Sequence, residues 1–165
     1  MDPADPLLPK ILVLVILILI NAFFAAAEIA VISLSETKRR KQAEEGDKKA
    51  KKLLVLMQAP DSFLSAIQIA ITLAGFLSSA FAADSFSDPL VHWLTVDKGF
   101  TAIPTSTLNT IMVVLITIVL SYFSLVLGEL VPKRIAMKKT EAVARFTVGA
   151  VTSVAAVFRP VIWLL

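Results

Sequence analysis

The sequence predicts an all-α membrane protein with three transmembrane helices, cytoplasmic juxtamembrane and interfacial helices, and a dimeric assembly. Three observations carry that expectation. Hydrophobic residues fill 57% of the 165 positions and mean hydropathy is +0.82, whereas soluble domains are roughly half apolar. Three runs carry no charge, Ile11 to Ala27, Phe63 to Ala83 and Ile103 to Gly128, and each is near the ~20 residues a helix needs to cross a bilayer. The charges between them are lopsided. Eight basic residues (Lys38, Arg39, Arg40, Lys41, Lys48, Lys49, Lys51 and Lys52) lie between Glu36 and Gln58, against one, Lys98, from Asp84 to Asn109. The positive-inside rule then places 36–60 and 132–145 in the cytoplasm, with the N-terminus and 84–105 outside.

Each element follows in order. Residues 1–10 form a polar lead with three prolines. The first span covers about 8–34, with Ala22, Ala26 and Ala30 on one face at a spacing that lets another helix approach closely. Acidic Asp2 and Asp5 stand where a secretory signal needs a basic head, so this run is read as a span. Ser35 or Thr37 starts a cytoplasmic helix over 37–57, with Gly46 a break. Its lysines followed by Leu53, Leu54, Leu56 and Met57 make a basic amphipathic helix that lies on anionic headgroups. The same basic patch beside spans points to lipid and not to nucleic acid.

Pro60-Asp61-Ser62 restarts the chain, with Asp61 or Ser62 as cap of a second span over 62–83. Ala66, Ala70, Ala74 and Ser78 give it a second small-residue stripe, and one of the two stripes serves a homodimer contact. A polar outer loop with Pro89, Gly99 and Pro104 leads to the third span, about 106–131. Residues 140–165 read as a helix at the cytoplasmic interface interrupted at Pro160, or as a fourth span beginning near Phe146. The chain stops inside an apolar stretch, Val161 to Leu165, which reads as a truncation.

The sequence Gly128-Glu129-Leu130-Val131-Pro132-Lys133 carries the chemistry. A carboxylate inside a span is costly, so Glu129 is a functional candidate. Pro132 has no N–H, which strips the Gly128 carbonyl of its helical donor. A carboxylate beside a free carbonyl offers the hard oxygens that Mg²⁺ binds. The simpler alternative is a helix end where Glu129 pairs with Lys133 or Arg134.

Glu28, Gln68 and Glu129 fall within roughly 10 Å of the cytoplasmic edge at ~1.5 Å per residue. Ser33, Thr72 and Ser124 lie close to that layer. Such groups face a bundle interior or a water-filled cavity. Glu28 is also read as a packing residue bonded to Gln68. With no cysteine, a single histidine (His92) and no Gly-x-Ser-x-Gly, an enzyme is not expected.

Three stretches carry a family resemblance: Asn21 to Ala30, Phe63 to Gly75, and Gly128 to Ala136. In order and spacing they resemble the transmembrane domain of the CorC / cyclin M family, over essentially the whole chain. The resemblance implies a plasma-membrane, multi-pass homodimer of three spans per protomer with a belt of juxtamembrane helices. It implies Mg²⁺ export driven by Na⁺, and cytoplasmic CBS domains that bind ATP–Mg downstream of this domain. It makes Glu129 the ion-binding glutamate and Gly128 its carbonyl neighbour. The chain departs from the pattern at Ala25, where many members have serine, and at Ile71 and Gly75, where they have asparagine. Backbone carbonyls near Ala25, the Thr72 hydroxyl or water then complete the shell, with Ser33, Ser78 and Ser124 ranked lower. A weaker or more hydrated site follows. The competing functions are a membrane anchor and dimerisation module for cytoplasmic domains, and transport of a different cation.

Overall fold

The structure, a computed structural model, describes residues 7–164. The expectations for Asp2, Asp5 and the first two prolines of the lead, and for Leu165, lie outside the described residues.

Helix α1 (Leu7–Ile32) follows the first charge-free run. Its first half turns Leu8, Leu12 and Ile16 outward, and its second half buries Phe24, Ala27, Ala30 and Val31. Exposed side chains of this size, repeated along several helices, mark a surface made for lipid. A short basic hairpin follows, α2 (Glu36–Glu44) and α3 (Lys48–Gln58). Ser35 caps α2, accepting a hydrogen bond from the Lys38 N–H at 3.5 Å. The expected single helix over 37–57 is therefore two helices, broken at Gly46, whose φ of +98° suits a residue without Cβ. Asp47 then caps α3, its Oδ1 accepting from the N–H groups of Lys49 (2.8 Å) and Ala50 (3.1 Å). Ala50, Leu53 and Leu56 are buried while the four lysines of α3 stay exposed, as an amphipathic pattern requires.

Helix α4 (Pro60–His92) begins with Pro60 in its first turn and no side-chain cap, so neither Asp61 nor Ser62 fills the expected role. Proline needs no N–H partner at that position, which lets it start the helix unaided. The expected outer loop from 84 is mostly helix. α4 runs on to His92 and continues as a π turn, Trp93–Asp97, leaving 98–104 as the connection. Packing explains the difference, because Ala82, Ser85, Ser87 and Val91 are buried. Pro89 is tolerated inside the helix although it removes the donor to the Ser85 carbonyl. Lys10 of α1 makes good the loss, its Nζ donating to Ser85 O at 3.4 Å.

The third long rod is α5 (Thr105–Leu125), a π turn at Val126–Leu130, and α6 (Val131–Lys138). After a break at Lys139 comes α7 (Thr140–Leu164), continuous through Pro160, where an interruption was expected. Among the described residues four helical rods are long and apolar enough to cross a membrane, Leu7–Ile32, Pro60–Asp97, Thr105–Lys138 and Thr140–Trp163, against the three spans expected, with a fourth near Phe146 as the alternative. Arg145 and Arg159 sit near the ends of α7, so they leave an apolar stretch between them.

The core lies at the basic end. Phe24, Ala27, Ala30 and Val31 of α1 meet Leu53 and Leu56 of α3, Phe63 and Ile67 of α4, Ala136 of α6, and Ala144, Val148 and Val151 of α7. Most of both small-residue stripes is used up here. Ala30, Ala66, Ala74 and Ser78 are buried within the single chain, and Ala26 and Ala70 pack against its core.

Ion pairs staple α7 to the hairpin. Glu141 meets Lys38 at 2.7 Å and Arg39 at 3.0 Å, and Arg145 meets Asp47 at 2.7 Å. The Ala50 N–H, and after it Arg145, hold the Asp47 carboxyl below its ordinary value of 3.8. A lowered folded value means that Asp47 stabilises the fold above the ordinary value and loses that contribution as acid takes the pH down through the lowered one. Asp47→Asn keeps a capping oxygen but removes the charge. We expect a lower melting temperature at neutral pH and no difference in strong acid, where the wild-type carboxyl is also protonated. A deficit that persisted in acid would assign the role of Asp47 to shape and not to charge.

Candidate functional site

The π turn at Val126–Leu130 places the central motif. In it the Val131 N–H reaches back five residues to the Val126 carbonyl. Pro132 supplies no N–H to the carbonyl four residues before it, Gly128, nor to that five before, Leu127. Two consecutive carbonyls therefore face the proline, where an ordinary α-helix leaves one. π turns inserted in helices occur often at functional sites.

Gly128 is buried against α1. A Cβ there would lie 3.0 Å from Asn21 Nδ2 and 3.5 Å from the Ile18 carbonyl oxygen, so the missing side chain is what lets α1 come close. Asn21 is 6% exposed, and its Oδ1 is buried without a hydrogen-bond partner. A buried amide oxygen left unpaired is costly and calls for an explanation.

A cavity of about 290 Å³ opens beside this contact. Asn21 comes from α1, Thr72, Gly75, Ser78 and Ser79 from α4, and Ser121, Ser124 and Glu129 from the third rod, with Phe76, Leu120 and Leu125 as apolar walls. The Ser78 Oγ is a second buried oxygen without a partner. The lining thus holds one carboxylate, an amide and five hydroxyls. Among the described residues there is no group of three or more His, Cys, Asp or Glu side chains placed to hold a metal. A cation here would rest on one carboxylate and neutral oxygens.

Of the residues expected at the site, the structure brings Glu129, Thr72 and Ser124 to this cavity, with Gly128 at its edge against Asn21. Ala25 is fully buried and does not line it. Gln68 and Ser33 are exposed and lie outside the lining; Gln68 shares the face of Thr72 and Gly75 but sits one turn nearer the start of α4, and Ser33 follows the end of α1. The Glu28–Gln68 bond does not form. Glu28 pairs instead with Lys133, whose Nζ lies 3.0 Å from Glu28 Oε2 and donates to Glu129 Oε1 at 2.8 Å. One ammonium thus bridges two carboxylates, and the helix-end pairing of Glu129 with Lys133 is present. Asn21 was missed, although a signal existed. It stands seven residues before Glu28 in a charge-free run, which puts both on one helix face. Ser79, Ser121 and Gly75 also join the lining.

A family model described as the cyclin M transmembrane N-terminal domain matches residues 12–165. A UPF0053 protein of Synechocystis is 37% identical over 150 residues, 91% of this chain and 33% of that protein. A polyamine export protein of Haemophilus influenzae is 30% identical over 154 residues, 93% of this chain and 34% of its own length. A polyamine export protein of Salmonella typhimurium is 27% identical over 158 residues, with 96% and 34% covered. The chain spans about a third of the length of these relatives.

Proposed function

This chain belongs to the cyclin M transmembrane N-terminal domain family, and from that premise we propose that it is the membrane unit of a secondary cation exporter. Mg²⁺ is the cargo, Na⁺ the coupling ion, and Glu129 the central ligand. The observation that carries this reading is the cavity itself, where one carboxylate shares a lining with an amide and five hydroxyls, and two of these oxygens, Asn21 Oδ1 and Ser78 Oγ, are buried without partners. Hydrated Mg²⁺ keeps several waters and needs only one or two carboxylates. Waters on the ion would satisfy Asn21 Oδ1 and Ser78 Oγ.

A second reading is favoured by Lys133. Its side chain is an alkylammonium already seated on Glu129, and two relatives carry the name polyamine export protein. An organic polyammonium is thus the alternative cargo. Full-length protein in liposomes separates the two. Under a Na⁺ gradient, Mg²⁺ flux is expected, with no competition from 1,4-diaminobutane. Flux of the diamine alone would replace Mg²⁺ by the second reading, and flux of neither would leave the domain as a membrane anchor.

In this reading the protein is a plasma-membrane homodimer whose basic hairpin lies on anionic headgroups in the cytoplasm, beside its own CBS domains. Gly46 and Gly99 both have positive φ, so orientation is better probed at exposed neighbours. Glu45→Cys should resist an impermeant thiol reagent in intact cells while Lys98→Cys is labelled. The chain has no cysteine of its own. The opposite pattern would invert the topology.

A further inference from the structure

The Glu28–Lys133–Glu129 bridge is more than a helix-end ion pair. We infer that Lys133 is the resident counter-cation of the site, and that Glu28 is the acceptor to which it moves when cargo binds Glu129. This rests on the reading that Glu129 holds the cargo, and it adds how that site is regulated.

The geometry is that of a shared ammonium poised to switch. Nζ donates to Glu129 Oε1 at 2.8 Å, in good alignment. It lies 3.0 Å from Glu28 Oε2, close enough for an ion pair, yet that oxygen is buried and makes no aligned hydrogen bond. Glu28 therefore has unused accepting capacity pointed at the ammonium. The three side chains are a quarter, a fifth and a third exposed, in the order Lys133, Glu28, Glu129, so water screens them only in part.

Two cations cannot share the Glu129 carboxylate without strong mutual repulsion at this depth. A cargo ion must displace the ammonium. Lysine has a flexible four-carbon stem, so the transfer to Glu28 needs a rotamer change and no unwinding of α6. Glu28 lies outside the cavity lining, so the parked ammonium clears the path. The device keeps Glu129 neutralised whenever cargo is absent. It also weakens cargo binding, which lets the ion leave again.

Three variants of the full-length protein, titrated with Mg²⁺ by calorimetry, test this. Lys133→Gln removes the competitor and should tighten Mg²⁺ binding by about tenfold or more. Glu28→Gln removes the parking place, holds the ammonium on Glu129, and should weaken binding by about tenfold. The double variant should bind like Lys133→Gln alone, because Glu28 matters only through the ammonium. A purely structural bridge predicts the reverse, with all three variants weaker and the losses additive. If Lys133→Gln does not fold, Lys133→Arg carries the test, since a guanidinium can hold both carboxylates at once and should weaken Mg²⁺ binding. Unchanged or weaker binding in Lys133→Gln, or unchanged binding in Lys133→Arg, overturns the switch. Provided that Glu129→Gln still abolishes binding, such a result leaves the Glu129 site standing. Wild-type binding in Glu129→Gln sinks that site and the switch together.

Discussion

Glu129→Gln is expected to abolish Mg²⁺-dependent thermal stabilisation and flux while the fold survives. Glutamine matches glutamate in size, and position 129 is only partly buried, so packing changes little. What changes is charge. The lining of the 290 Å³ cavity contains no second carboxylate, so the variant keeps only neutral oxygens for the ion. A divalent cation without an anionic ligand loses its main electrostatic attraction, on the order of several kcal/mol in a partly screened setting. At saturating Mg²⁺ the wild-type protein gains stability by mass action, and the variant should show none of that gain. Lys133 keeps Glu28 as its partner, so no charge is stranded. The checks are melting curves with and without Mg²⁺ and flux in liposomes. A full Mg²⁺ response in the variant would remove Glu129 from the site.

The second large effect is structural. Glu141→Gln should lower the melting temperature by on the order of 5 °C or more. Arg39 is 1% exposed, and Glu141 is the carboxylate that meets its guanidinium, while its Nε and one terminal nitrogen have no hydrogen-bond partner. Removing the anion leaves a buried charge uncompensated, which costs far more than the loss of a surface pair. Lys38→Gln removes the exposed partner of the same carboxylate and should shift the melting temperature by about 1 °C or less. Arg39→Met together with Glu141→Gln should recover most of the loss, because the stranded charge is gone. If the double variant melted no higher than Glu141→Gln alone, the buried charge would not be the cause.

What was legible in the sequence follows from how far each signal is local. Charge-free runs, the break at Gly46 and the Ser35 cap depend on neighbouring residues, and the structure agrees with them. The extension of α4 past Asp84 was hidden because its polar residues and Pro89 read as loop. The packing that holds them helical, with Lys10 on Ser85, comes from a helix 75 residues away. Continuity of α7 through Pro160 was not readable either, and there the neighbours Val157, Val161 and Trp163 are exposed, so no packing contact accounts for it.

At the site, the polar layer was readable to about one helical turn and no finer, because span ends fix depth only coarsely. Gln68 and Thr72 sit one turn apart on α4, yet only Thr72 reaches the cavity. A similar error paired Glu28 with Gln68 at equal depth, when Lys133 of the adjacent rod was within reach. Which small-residue stripe meets which helix was not readable, because small residues serve any close helix contact, and most of these are buried or packed inside the single chain.

The Lys10–Ser85 contact has a counterpart near the middle of α1. Pro89 bares the carbonyl of Ser85 and α1 answers with an ammonium. Pro132 withholds a donor from the carbonyl of Gly128, and α1 sets the side chain of Asn21 beside that glycine. Eleven residues separate the two, about 16 Å along a helix at ~1.5 Å per residue. α1 thus meets two proline-made notches, one bridged by an ammonium on a carbonyl and the other faced by a neutral amide. The stretch of α1 just after Asn21 packs into the core through Phe24 and Ala27, so the same helix walls the cavity and anchors the fold.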